Sequence, residues 1–244
     1  MSIAAEGPGE GPGEGPGEGT VESPFGERTR AEALEIVARY PEPGSALLPL
    51  LHLVQSEEGY VNPAGIEFCA ELVGFTNAEV TAVATFYTMF KRRLAGDYLV
   101  SVCTNTLCNL LGGEEIYDTL REYLGVGHNE TTDDGTITLE HAECLAACDY
   151  APVVTVNYEF FDQQTPQSAV EVVNRLRSGE PPPPTRGAPL CGFKQVERLL
   201  AGFPDEREDA LDAGGVGGEP TLAGVHRAAE RGEAAPAANE TKEG

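Results

Sequence analysis

Hydrophobic positions in the middle of the chain recur first at helical and then at strand spacing. Residues 31–38 and 45–56 predict helices, the second with Leu47, Leu50, Leu51 and Val54 on one face and Gly59 beyond its end. Pro49, late in the first turn of that helix, is expected to bend it. A third helix is expected from Pro63. A fourth is expected near Asn77, where Val80, Val83, Ala84 and Tyr87 make an apolar stripe. Stripes of this kind fill bundle cores and by themselves imply no chemistry.

From Asp97 the period becomes two. Tyr98, Val100 and Val102 alternate with Leu99 and Ser101 in a strand that runs straight into Cys103. A helix is expected over 114–124 and strands over 136–139 and 153–156, with a hairpin partner at 159–161 turning around Asn157. Thr165 is placed to cap a last helix with Pro166 at its first position. This order predicts an α/β fold: a helical bundle followed by a small sandwich of helices on a sheet.

Composition sets the outer limits. Glycine and proline, 29 and 18 residues, crowd both ends. Residues 6–19 repeat Glu-Gly-Pro-Gly, a period of four that rules out collagen, which needs glycine at every third position. The expected organisation is a disordered Gly/Pro/Glu tail over 1–27, the helical bundle over 28–96 and the sandwich over 97–179. A Pro-rich linker and a mostly disordered acidic tail follow over 180–244, with a short helix expected at 193–203.

The balance of 16 basic against 40 acidic residues, net −24, repels phosphate backbones and argues against nucleic acid as a partner. The longest apolar run, 47–54, is far shorter than the roughly 18 residues a spanning helix needs, so no direct membrane insertion is expected. The first residues have neither a basic nor an apolar leader region, which fits a bacterial cytoplasmic protein.

In a reducing compartment six cysteines are read first as metal ligands. Cys103 and Cys108 stand as Cys-Thr-Asn-Thr-Leu-Cys, and Cys144 and Cys148 as Cys-Leu-Ala-Ala-Cys, each pair expected in a loop beside a strand. A [2Fe-2S] cluster takes two thiolates on each iron, so two close pairs on neighbouring loops suit it. The small residues Ala146 and Ala147 leave backbone N–H groups free to approach sulfur. A structural zinc also suits four paired cysteines. Paired disulfides and inert buried thiols are further readings. Cys69 reads as a core residue and Cys191 as an exposed thiol in the tail; neither is assigned a ligand role. The histidines, His52, His128, His141 and His226, are scattered without ligand spacing. No Gly-x-Gly-x-x-Gly follows a predicted strand, and Gly125-Val126-Gly127 reads as a helix cap.

Taken together, these residues resemble a known family, the 24 kDa-type subunits of respiratory complex I and of bacterial NADH-quinone oxidoreductases. The resemblance spans about residues 40–176. Its carriers are Tyr40-Pro41, the run from Ser45 to Leu51, Gln55, Glu58-Gly59-Tyr60, Ala84-Thr85-Phe86-Tyr87, Cys103-Thr104-Asn105 with Cys108, the run from Glu143 to Asp149, and Ala151-Pro152. It implies a thioredoxin-like ferredoxin domain that holds one [2Fe-2S] cluster on Cys103, Cys108, Cys144 and Cys148. It also implies a partner subunit that carries FMN and oxidises NADH, within a peripheral arm at the inner face of the cell membrane. Corresponding subunits of NAD-linked hydrogenases and formate dehydrogenases share this module. Between Cys103 and Asp149 ten acidic residues face one basic residue, Arg121, so local acidity is expected to disfavour an added electron.

Overall fold

In a computed structural model, residues 25–207, 210 and 218–233 are described. The Glu-Gly-Pro-Gly repeat and residues 208–209, 211–217 and 234–244 of the expected tail therefore lie outside the described residues. Four helices open the chain: α1 (Glu27–Ala38), α2 (Leu47–Glu58), α3 (Pro63–Val73) and α4 (Asn77–Phe86). Local chemistry sets their ends. The Asn62 side chain accepts the Gly65 N–H at 2.7 Å ahead of Pro63, and Gly74 closes α3 in the left-handed conformation. Thr76 and Glu79 form a reciprocal capping box at the start of α4. Leu50, Leu51, Leu53, Val54, Ile36, Cys69, Val80 and Ala84 make one buried core.

Strands β1 (Tyr98–Cys103), β2 (Glu130–Thr131), β3 (Ile137–Ala142), β4 (Val154–Val156) and β5 (Glu159–Phe161) form a sheet in the order β2-β3-β1-β4-β5. β1 and β3 are parallel and the other pairs antiparallel. α5 (Thr106–Leu110) and α6 (Gly113–Leu124) follow β1, and α7 (Pro166–Arg177) follows β5. Ile116 and Leu120 of α6 and Val173 and Leu176 of α7 bury Val100, Val102, Ile137, Leu139 and Val156 on one face of the sheet. The short β2 and the five-residue α5 are elements the periodicity does not announce.

The opposite face carries the buried Ser101, Thr138 and Thr155 beside Leu99, and it is met by the segment after α4 and by the chain beyond the prolines. Ser101 donates to Glu140 at 2.6 Å, and Glu140 also pairs with Lys91, which follows α4. Gln55, fully buried in α2, donates to the Met89 carbonyl at 3.0 Å and accepts the Lys91 N–H at 2.6 Å. This satisfies the buried polar groups that join the two parts.

The largest departure from expectation follows the prolines. α8 (Phe193–Leu200), expected within the linker and tail, packs along α2. Phe193 is buried against Leu99, and Ala201 belongs to the bundle core. Three further contacts hold it. Glu197 meets His52 at 2.6 Å in a buried pair, Tyr158 donates to Glu197 at 3.2 Å, and Arg198 grips Glu32 through two bonds of 3.0 Å. Asn157, in the left-handed region at the β4–β5 turn, fixes the approach: it accepts the Leu99 N–H at 2.7 Å and donates to the Cys191 carbonyl at 2.7 Å. Cys191 is accordingly buried, correcting its reading as an exposed thiol. Beyond it, α9 (Glu219–Glu230) forms in the expected tail without burying a residue.

Candidate metal centre

β1 and β3 run side by side in register until Cys103 lies opposite Ala142. The two strands leave the sheet at the same end, so the segments carrying the two cysteine pairs are neighbours by topology. Cys103 ends β1. Cys108 lies within α5, and Cys148 opens a single 3-10 turn over Cys148–Tyr150, so only Cys144 keeps the loop setting expected of all four. The first pair is buried and the second exposed.

Gly113 explains how close the first pair sits to the helices. A Cβ there would stand 2.4 Å from the Cys103 carbonyl oxygen and 2.9 Å from that of Cys108, so only glycine lets α6 start beneath this loop. The Cys103 N–H donates to the Val153 carbonyl at 3.0 Å, and the Val153 N–H points back to the Cys108 sulfur. Ala146, in the left-handed conformation, directs its N–H at the Cys144 sulfur, 3.4 Å away. Backbone donors thus reach sulfur in both pairs.

The sulfurs crowd one another. Cys144 and Cys148 Sγ are 3.7 Å apart, close to the roughly 3.8 Å edge of a tetrahedron with 2.3 Å metal–sulfur bonds. Burial and then the hydrogen bond to Cys103 push the Cys108 thiol up to about 12, and Cys148 adds charge repulsion. The Cys148 thiol is raised chiefly by its bond to Cys144, with Cys103 among the charges acting on it. Thiols held this close resist ionising together, and a bound cation is what offsets their charge. Cys108 feels Cys103 and Cys148, and Cys148 feels Cys144 and Cys103, so the two sequence pairs face one another. That arrangement fits two irons with two thiolates each.

Around the site, local charge is more balanced than the sequence count implies. Glu140 is paired with Lys91 and Asp134 with Arg177, cations from outside the counted stretch. Asp149 accepts the Thr221 hydroxyl, which brings α9 against the Cys148 turn, and Glu143 accepts from Asn105. Arg186 lies over the Tyr150 and Phe160 rings at 4.8 and 4.5 Å, held by Asp162. His128 and His141, far apart in sequence, stack with centroids 4.2 Å apart beside a cleft of about 790 Å3 that reaches Tyr87, Lys91 and Cys144. Burial, then the charge of His141, holds the His128 ring below its usual range.

The family model for thioredoxin-like [2Fe-2S] ferredoxins matches residues 33–177. The E subunit of the NADH-quinone oxidoreductase of Mycobacterium tuberculosis is 61% identical over 209 residues, covering 86% of this chain and 82% of that one. NADH-quinone oxidoreductase subunit 2 of Thermus thermophilus is 41% identical over 149 residues, 60% of this chain and 82% of the relative. Among solved structures, an NAD+-reducing [NiFe]-hydrogenase in the air-oxidized state overlays with a TM-score of 0.49 at 16% identity, over 55% of this chain and 23% of that one.

Proposed function

The chain belongs to the thioredoxin-like [2Fe-2S] ferredoxin family, and from that membership we propose that Cys103, Cys108, Cys144 and Cys148 hold its one cluster. It is an electron-transfer subunit of NADH-quinone oxidoreductase, the assignment carried by relatives of that name at 61% and 41% identity. The cluster, when bound, supplies a one-electron store. The chain's own residues supply four thiolates, backbone donors at Val153 and Ala146, and burial for the first pair. Its partners on this reading are the subunit that carries FMN and oxidises NADH and the rest of a peripheral arm. The complex sits at the inner face of the cell membrane. Among the described residues no helix is long and apolar enough to cross a membrane. The working division is the bundle, 28–96, and the ferredoxin part, 97–179, with α8 counted with the bundle.

The observation that carries the ligand assignment is that the two pairs follow the same end of the parallel strands β1 and β3. Serine at any of the four positions is expected to abolish or strongly reduce iron content and visible absorption, because a hydroxyl is a poor substitute for a thiolate. Serine at Cys69 or Cys191 should leave both in place. Iron content and spectra of the six purified variants check this; a Cys191→Ser protein as iron-poor as Cys144→Ser would refute the assignment. A zinc-stapled interaction module, the competing reading, would be colourless in the wild type.

A further inference from the structure

The strand ladder stops at Cys103 and Ala142, so something else has to hold the two ligand segments in register beyond the sheet. Asn105 stands between the first two cysteines and Glu143 immediately before the third. The Asn105 side chain has two tasks. Its Oδ1 accepts the Thr106 N–H at 2.9 Å and so caps α5, the helix that carries Cys108. Its Nδ2 donates to Glu143 Oε2 at 2.7 Å. One amide therefore orients the helix of the first pair and grips the segment of the second. The backbone adds a bond nearby, Thr104 N–H to the Ala142 carbonyl at 3.1 Å.

We propose that Asn105 and Glu143 are positioning residues that clasp the two ligand segments together and thereby fix the spacing of the pairs. The inference rests on the cluster reading above. Glu143 is exposed, yet its carboxylate is not a free surface charge: it is an acceptor aimed at one donor in a charge-assisted bond of 2.7 Å. A four-thiolate cluster tolerates little change in the distance between its two halves. A clasp across the open edge therefore acts on iron retention and on cluster geometry before it acts on the fold.

Asn105→Asp separates the clasp from the cap. Aspartate still caps α5 but cannot donate to Glu143, and two carboxylates then face each other. Glu143→Gln keeps an acceptor for Asn105. The double variant Asn105→Asp/Glu143→Gln restores the bond with its polarity reversed and its net charge unchanged. With the full-length, cluster-loaded protein kept anaerobic, iron release to a chelator and the EPR g-values of the reduced cluster are measured for all four proteins. Asn105→Asp should release iron on the order of tenfold faster, the rate equivalent of losing a bond to a charged group, with shifted g-values. Glu143→Gln and the double variant should stay near wild type. An unresponsive Asn105→Asp, or a double variant as leaky as the single one, overturns the clasp while leaving the ligands standing. A colourless, iron-free wild type fails the cluster reading itself and takes the clasp with it.

Discussion

At the scale of single residues, Gly113 shows how the segment from Cys103 to Cys108 depends on an atom that is missing. Gly-to-Ala at a helical position ordinarily stabilises by about 1 kcal/mol. Here the added methyl would enter the carbonyl oxygens of Cys103 and Cys108 at 2.4 and 2.9 Å. Gly113→Ala is therefore expected to lower both melting temperature and iron content, as read by thermal melts and iron assay. A variant that melted higher with full iron would show that the segment yields freely. The four cysteines proposed as ligands stood out in the sequence because they form two close pairs beside predicted strands. Glu143 was legible only as a charge: its partner Asn105 lies 38 residues away, and no local pattern joins them. His128 and His141 were missed as neighbours for the same reason.

Among the elements, caps and periodicity led closest to the structure where each element answers to its own residues. Thr165 with Pro166 opens α7 and Asn62 with Pro63 opens α3, as those residue types dictate. α8 was recognisable as a helix, but not as a core element, because its value lies in what it meets. Its Phe193, Val196 and Leu199 pack with Leu99, Ala95 and Tyr158, its Glu197 meets His52 of α2, and its grip on α1 is the Arg198–Glu32 fork. The Arg198 guanidinium is the main cause holding the Glu32 carboxyl below the usual carboxylate range. A carboxyl lowered on folding adds stability that is present above its unfolded value, about 4.3, and is lost as pH falls through the lower folded value. Glu32→Gln should thus destabilise by about 0.5–1 kcal/mol at neutral pH, allowing for partial exposure, and by progressively less below about pH 4. Denaturant melts of both proteins from roughly pH 3 to 7 check this; a pH-independent gap would mean that packing, not charge, is what was lost.

Over the whole molecule, the residue composition after Pro181 reads as linker and tail, yet the chain returns from the ferredoxin part to the bundle and completes its core. Composition misleads here because the segment is short of apolar residues on average, while Phe193 and Val196 bury against Leu99 of β1 and Ala201 joins the bundle core. A chain stopped after Arg207 is expected to melt within a few degrees of the full protein. One stopped after Glu180 should lose at least about 3 kcal/mol, a drop on the order of 10 °C, from exposing the α2 face. Calorimetry of the two truncations checks this, and equal melting temperatures would remove α8 from the core. The same return path sets an order of events during synthesis. Translation proceeds at about 5–20 residues per second, so the 23 residues from Arg177 to Leu200 emerge over about one to five seconds. During that interval all four proposed ligand cysteines are already made while the bundle still lacks its last helix, so the sulfurs are complete before the fold is closed.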